Sequence, residues 1–177
     1  DFLVAAPAGA TEIPIVRVMR DAPTSGIVEV FMPRRPGLIT RRTDIAGAHS
    51  LNEPDRPARK GETPAELTAG LNEIIDYLAS EKPSHKRYKP RQSLTFCNIY
   101  AHDYCFLAGV YLPRVWWTQS AIERLAQGET VQPLIESTIM EMRANGLFHW
   151  LRDFGPRFGW RQTSTLTKLQ QEANIGA

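Results

Sequence analysis

The chain has 177 residues, of which 42% are hydrophobic and 23% charged, a balance typical of a globular protein that buries one sizeable core. Its formal net charge of +2 gives no argument for a nucleic-acid partner. No stretch approaches the roughly 18 consecutive apolar residues that a transmembrane helix needs. We therefore expect one main domain, with or without an appendage, and no membrane span.

The N-terminal residues 1–62 are predicted to be a β-rich segment or small module that ends in a linker. Two short runs, Glu12 to Val18 and Gly26 to Met32, have the alternating or β-branched pattern of strands. The turn-rich residues between them would join them as a hairpin. Residues 49–62 are polar and lack apolar periodicity, which is typical of a linker or exposed loop. Because the sequence opens at Asp1 rather than methionine, we interpret it as a trimmed product or a fragment.

Residues 63–177 are predicted to form a helix-rich domain. Its best-marked element begins with Thr63 as N-cap, Pro64 in the first turn and Glu66 completing a capping box, followed by leucines and isoleucines at helical spacing up to about Ser80. Further helices are predicted over residues 96–107, 120–127, 136–144, 147–154 and 165–173. The whole chain is therefore expected to be α+β, with short antiparallel strands near its N-terminus.

Four local features are also predicted for this domain. Residues 82–91 carry a run of basic side chains and two prolines, and we interpret them as a solvated connector. Ser93 to Thr95 are expected to cap the helix over 96–107, and a capping box of Ser120 and Glu123 is expected to begin the next helix. Asn145-Gly146 is expected to end the helix over 136–144.

Cys97 is the candidate nucleophile. A cysteine in the first turn of a helix faces unpaired backbone N–H groups and the positive end of the helix dipole, which favour thiolate over thiol. Cys105 lies mid-helix and is interpreted as a packing residue. The spacing of eight residues separates the two cysteines by about 12 Å along a helix, too far for a disulfide.

A thiolate hydrolase also needs a base, usually histidine. On a continuous helix His102 lies about 140° around the axis from Cys97, so it is not the expected partner. The remaining candidates, His49, His85 and His149, are left open. Asn98 is the candidate supporting residue, although it could equally satisfy the helix terminus. Asp103 is interpreted as a residue of an exposed helix face.

Tryptophans 116 and 117 are candidate substrate-binding residues. Residues 110–117 are predicted to be extended, so these adjacent rings point to opposite faces and one of them can face the site. The alternative is that both fill the core. The sequence has no Gly-rich phosphate loop, no His-Glu-x-x-His and no Cys-x-x-Cys motif. We expect neither a cofactor nor a metal.

The stretch from Tyr88 to Trp117, above all Thr95-Phe96-Cys97-Asn98-Ile99-Tyr100, resembles the nucleophile helix of papain-like cysteine amidases of the NlpC and CHAP type. In that family the cysteine begins a helix packed on a small antiparallel sheet, and the histidine comes from a later strand. The resemblance implies the cysteine-bearing half of such a fold. No histidine-bearing strand is recognisable after Cys97. We expect that the chain stops before it; the alternative is that the fold has kept the cysteine helix without the chemistry.

The resemblance implies a cysteine peptidase or amidase that acts on the stem peptides of bacterial peptidoglycan through a thioester at Cys97. Secretion or a periplasmic location would fit that substrate. The alternative is a non-catalytic module that binds cell wall or another protein. A third interpretation, compatible with the first, is a secreted toxin that pairs with an immunity protein.

Overall fold

The protein was analysed as a computed structural model that describes residues 13–16, 26–32, 51 and 53–176. The described chain forms two compact units, each assembled from separate stretches of sequence. The first unit contains the described residues up to Phe31 together with Pro113–Ser164, and the second contains those from Met32 to Leu112 together with the residues from Thr165 onward. The predicted division into residues 1–62 and 63–177 remains a prediction.

The described residues are mixed helix and strand, which confirms the α+β class. The helices are α1 (Pro64–Leu78), α2 (Cys97–Leu107), α3 (Gln119–Ala126), α4 (Ala144–Asp153) and α5 (Leu166–Asn174), with short 3₁₀ helices at Lys86–Tyr88 and Gly155–Phe158. The strands are β1 (Ile13–Val16), β2 (Val115–Trp117), β3 (Ile139–Glu141) and β4 (Trp160–Thr163). β1 pairs antiparallel with β4 and β2 antiparallel with β3.

The second unit is built around α2. Helix α1 buries Gly70, Ile74 and Leu78, a spacing of four residues that aligns them on one face. Helix α2 instead is buried on most sides from its third residue onward, at residues Ile99, Tyr100, Ala101, His102, Asp103 and Leu107, and residues 104–106 are half-buried. A helix that is covered on most sides occupies the centre of its unit, and α1 contacts it there.

The capping signals of α1 are confirmed atom by atom. Thr63 Oγ1 accepts from the backbone N–H of Glu66 at 3.3 Å, while Glu66 Oε2 accepts from the backbone N–H of Thr63 at 3.0 Å. The helix ends at Ala79, whose φ of 39° is left-handed.

Residues 53–62 are irregular, as predicted, but they pack onto α1 instead of running as a free linker. A Cβ added at Gly70 would lie 3.1 Å from the Cα of Arg59, so a larger residue would require the backbone at Arg59 to give by a few tenths of an ångström. The Arg59 guanidinium also donates to the Gly176 carbonyl at 2.9 Å, and Leu51 and Glu53 are buried.

The core of the first unit is aromatic. The Trp116 ring lies 5.4 Å from Trp150, 5.2 Å from Phe154 and 5.6 Å from Phe158, with edge-on or tilted geometries that such rings prefer. All three residues of β2 are buried, so both faces of this short strand are covered.

Two predicted elements of the first unit are wrong. Residues 26–32 are irregular after a bend at Gly26 instead of forming a strand. The expected hairpin is therefore not formed, and β1 pairs with β4. The residues between β1 and Gly26 lie outside the described residues. Residues 136–144 are not a helix: Glu136 is left-handed at φ 63°, the chain turns through Leu134 to Ile139, and β3 follows. The expected ending at Asn145-Gly146 lies inside the first turn of α4.

The caps predicted for α2 and α3 are also wrong, and most of the described strands do not lie near the N-terminus as expected. Thr118 caps α3, through a bond from the Ala121 N–H, so Ser120 and Glu123 do not form the expected capping box. The N-cap of α2 is Phe96, with no side-chain cap. Strands β2, β3 and β4 follow α2 in the sequence, so only β1 of the described strands lies near the N-terminus.

Candidate functional site

The chain enters α2 through a tight turn. Arg91 and Leu94 exchange backbone hydrogen bonds of 3.1 and 2.9 Å, and Gln92 between them is left-handed at φ 52°. The Arg91 guanidinium carbon lies 5.4 Å from the centre of the Phe96 ring, within the range of a cation–π contact. The turn and this stacking fix the direction from which the backbone reaches Cys97.

Cys97 is the first residue of α2, and its side chain is exposed. The N-cap residue Phe96 has no polar side chain to accept from the first-turn N–H groups. The thiol contacts the Thr95 hydroxyl, whose Oγ1 lies 4.0 Å from Cys97 Sγ. The predicted placement of an accessible cysteine at a helix entrance is therefore what the structure shows.

Two of the four histidines lie in the same unit as Cys97 and are buried. His85 Nδ1 lies 3.0 Å from the carbonyl oxygen of Leu78, and His102 Nδ1 lies 2.5 Å from that of Leu112. His149 is an exposed residue of α4 in the first unit, and His49 lies outside the described residues. Within the described part of the second unit, no imidazole forms a hydrogen bond with Cys97 Sγ.

The other predicted site residues have different surroundings. Asn98, the candidate supporting residue, is half-buried in the first turn of α2. Trp116 belongs to the aromatic core of the first unit, and Trp117 Nε1 donates to the carbonyl of Val28 at 3.0 Å. Both tryptophans are buried, so their described role is packing, and binding of substrate stays a prediction for them.

A buried polar cluster on α2 was missed by the sequence analysis. Asp103 and Arg87 have fully buried side chains, joined by bonds from Arg87 Nε to Asp103 Oδ2 of 2.6 Å and from Nη2 to Oδ1 of 3.3 Å. The hydroxyl of Tyr88 donates to the same Oδ2 at 2.8 Å. We call Arg87, Tyr88 and Asp103 the α2 clamp.

The clamp corrects two expectations. Asp103 does not lie on an exposed face, and the basic segment 82–91 is not a fully solvated connector, because its Arg87 and Tyr88 enter the core. A buried guanidinium is tolerated only where a carboxylate compensates its charge. No local signal in the sequence pointed to the clamp, because Arg87 and Asp103 are 16 positions apart.

The electrostatics of the second unit follow from burial. Burial opposes the charged form of Arg87, but the Asp103 carboxylate outweighs it and raises the pKa of the guanidinium. Burial, reinforced by Asp103, holds the pKa of the Tyr88 hydroxyl well above its usual range. Burial alone raises the pKa of the Cys105 thiol to about 12. Cys105 is therefore a packing cysteine, unlike the exposed Cys97.

No group of three or more histidine, cysteine or acidic side chains in the described residues is arranged to hold a metal ion. None of the described helices has the length and apolar character needed to cross a membrane.

No protein-family model matches the chain, and no curated protein or solved structure matches it either. Functional inference therefore rests on Cys97 and its surroundings.

Proposed function

We propose that the protein is a cysteine peptidase or amidase that hydrolyses peptide or amide bonds of bacterial peptidoglycan through a thioester at Cys97. The observation that carries the proposal is the exposed thiol on the first residue of a helix whose N-cap offers no side-chain acceptor. The positive end of the helix dipole at this position is suited to stabilise the oxyanion that forms when a thiolate attacks a carbonyl carbon.

The reaction has two steps. The Cys97 sulfur bonds to the carbonyl carbon, the C–N bond breaks, and the amine leaves with a proton; water then cleaves the thioester, releases the acid and restores the thiol. A base must take the thiol proton and return it to the amine. Because His85 and His102 are buried and neither bonds to the exposed Cys97 Sγ, we expect the base elsewhere.

The test compares two matched variants, Cys97→Ala and Cys105→Ala, on purified peptidoglycan. We expect release of new amino groups by the wild-type chain and by Cys105→Ala, and none by Cys97→Ala at unchanged circular dichroism. Activity that survives in Cys97→Ala would eliminate Cys97 as nucleophile.

A non-catalytic cell-wall-binding module is the second candidate, favoured by the lack of a described imidazole bonded to Cys97 Sγ in the second unit. Such a module would bind insoluble cell wall equally well with Cys97 or alanine at this position, and the wild-type chain would release no amino groups. The same pair of assays therefore distinguishes the two candidates.

A further inference from the structure

The segment that precedes α2 is strongly basic. Residues 82–96 contain no acidic side chain, and the segment carries Lys82, Lys86, Lys89 and Arg91 besides the buried Arg87. Lys82, Lys86 and Arg91 are exposed, and Lys89 is half-buried. Within the clamp, Asp103 compensates the charge of Arg87. We call Lys82, Lys86, Lys89 and Arg91 the basic patch.

The patch is held in a compact conformation. Backbone hydrogen bonds from His85 to Lys82 and from Lys89 to Lys86 close two successive turns, at 3.0 and 3.2 Å. The ammonium group of Lys89 reaches back to the carbonyl oxygen of Glu81 at 3.2 Å. Arg87 and Tyr88 are anchored on Asp103 of α2. The segment that carries the four cations is therefore attached to the helix that bears Cys97.

Two ring contacts place this segment beside the entrance of α2. Arg91 lies over Phe96, the residue before Cys97, and the Tyr88 ring lies 5.1 Å from that of Tyr100, edge-on. Residues Cys97 and Tyr100 are three positions apart and therefore neighbours on one face of the helix. The basic segment thus contacts α2 on both sides of Cys97 in the sequence.

Besides Asp103, two described carboxylates act on this region, and one of them, the buried Glu53, acts on Arg87 and Tyr88. Burial raises the pKa of Tyr100, and the negative charge of Glu81 adds to the rise, so Glu81 lies close enough to act on Tyr100. Among the described residues, the five basic side chains of residues 82–91 outnumber the three carboxylates that act on this segment and on Tyr100, which are Glu53, Glu81 and Asp103. Over distances below the screening length of about 8 Å at physiological salt, such an excess of positive charge attracts anions.

We propose that the basic patch binds carboxylate groups of an acidic peptide and thereby presents its neighbouring amide bond to Cys97. The inference rests on the proposed function for the cleavage step and adds to it the class of substrate, a peptide with free carboxylates. Peptidoglycan stem peptides with free carboxylates belong to that class. Arg91 can grip a carboxylate with two parallel bonds, whereas the lysines act as point charges.

Binding is tested without turnover, in the Cys97→Ala chain, by co-sedimentation with peptidoglycan stripped of phosphate-bearing polymers. The Lys82→Gln/Lys86→Gln pair should weaken binding about three- to tenfold, as expected for two exposed ionic contacts. Raising the salt from about 0.05 M to about 0.3 M should weaken it as well. Amidation of the peptidoglycan carboxyl groups should abolish this difference, so that the Cys97→Ala parent and the Lys82→Gln/Lys86→Gln chain bind the amidated material equally weakly.

The matched control also removes two lysine charges from the second unit, but outside the basic patch. Lys60 and Lys168 are exposed, so Lys60→Gln/Lys168→Gln should leave the affinity within about 1.5-fold of the parent if the position of the charges matters. Equal weakening in both pairs would show attraction by net charge alone and overturn the proposal. So would unchanged binding in the Lys82→Gln/Lys86→Gln chain.

A kinetic comparison in chains that retain Cys97 separates this inference from the proposed function. Arg91→Gln should raise KM with little change in kcat, and Arg91→Lys should recover part of the loss. If no chain cleaves amides while patch variants still lose affinity, the proposed function fails and the binding inference survives. If cleavage proceeds with KM insensitive to the patch, the function survives and this inference fails.

Discussion

Two positions of α2, its first residue and a residue near its middle, have opposite environments. At its entrance, Cys97 is exposed and the N-cap has no side-chain acceptor. Two turns later, Asp103 is completely buried and receives bonds from Arg87 and Tyr88. The accessible thiol thus stands on a helix whose position is fixed by charge-assisted bonds in the core. Such an arrangement separates the part that can react from the part that holds it in place.

The largest effect is expected from Asp103→Asn. The change leaves the Arg87 guanidinium buried without its compensating charge, which typically costs about 3–5 kcal/mol. Urea unfolding followed by tryptophan fluorescence measures the loss. The control is Asp153→Asn, which breaks the exposed Arg152–Asp153 pair and should cost no more than about 1 kcal/mol. Similar losses in both variants would mean that the clamp does not fix α2.

The second expectation concerns the two thiols of the same helix. A pKa of about 12 reduces the thiolate fraction of Cys105 near pH 8 about a thousandfold relative to an ordinary thiol. We expect iodoacetamide to modify one thiol per folded chain quickly and the second only after unfolding. Mass spectrometry should locate the fast site at Cys97, and the Cys97→Ala chain should lose it. Fast labelling of Cys105 would contradict the raised pKa of its thiol.

Local signals in the sequence identified the helices of the second unit well. The Thr63 and Glu66 pair predicted the start of α1 because both partners of a capping box lie within four residues of each other. The bounds of α2 and α5 followed in the same way from short-range patterns. Cys97 was found because its position depends only on where α2 begins.

Features that depend on distant residues were not predictable. The burial of Arg87 requires Asp103, 16 positions later, so a basic segment considered alone suggests a solvated loop. Strand β3 forms because Trp117 pairs with Ile139 and Val115 with Glu141 across a long connection. A short apolar run does not distinguish strand from helix, and the left-handed Glu136 was not recognisable from the sequence.

A smaller effect is expected from Tyr88→Phe, which removes one bond to a carboxylate but keeps the buried ring. The loss should be about 1.5–3 kcal/mol at neutral pH. Because the pKa of folded Tyr88 is raised, the unfolded chain ionises first, and wild-type stability should fall as pH rises above about 10. The gap between wild type and Tyr88→Phe should therefore narrow in alkali. A constant gap from neutral pH to beyond pH 10 would show that Tyr88 titrates alike in both states.

The smallest effect is expected from Cys97→Ser. The exposed side chain has no bond shorter than its 4.0 Å contact with Thr95 Oγ1 among the described residues, so the free energy of unfolding should change by no more than about 0.5 kcal/mol. Cys105→Ser, which places a hydroxyl in the half-buried helix interior, should cost about 1–3 kcal/mol. Thermal unfolding of the two variants provides the measurement. A cost at Cys97 as large as at Cys105 would mean that the thiol supports the fold, because a side chain kept for chemistry alone contributes nothing to stability.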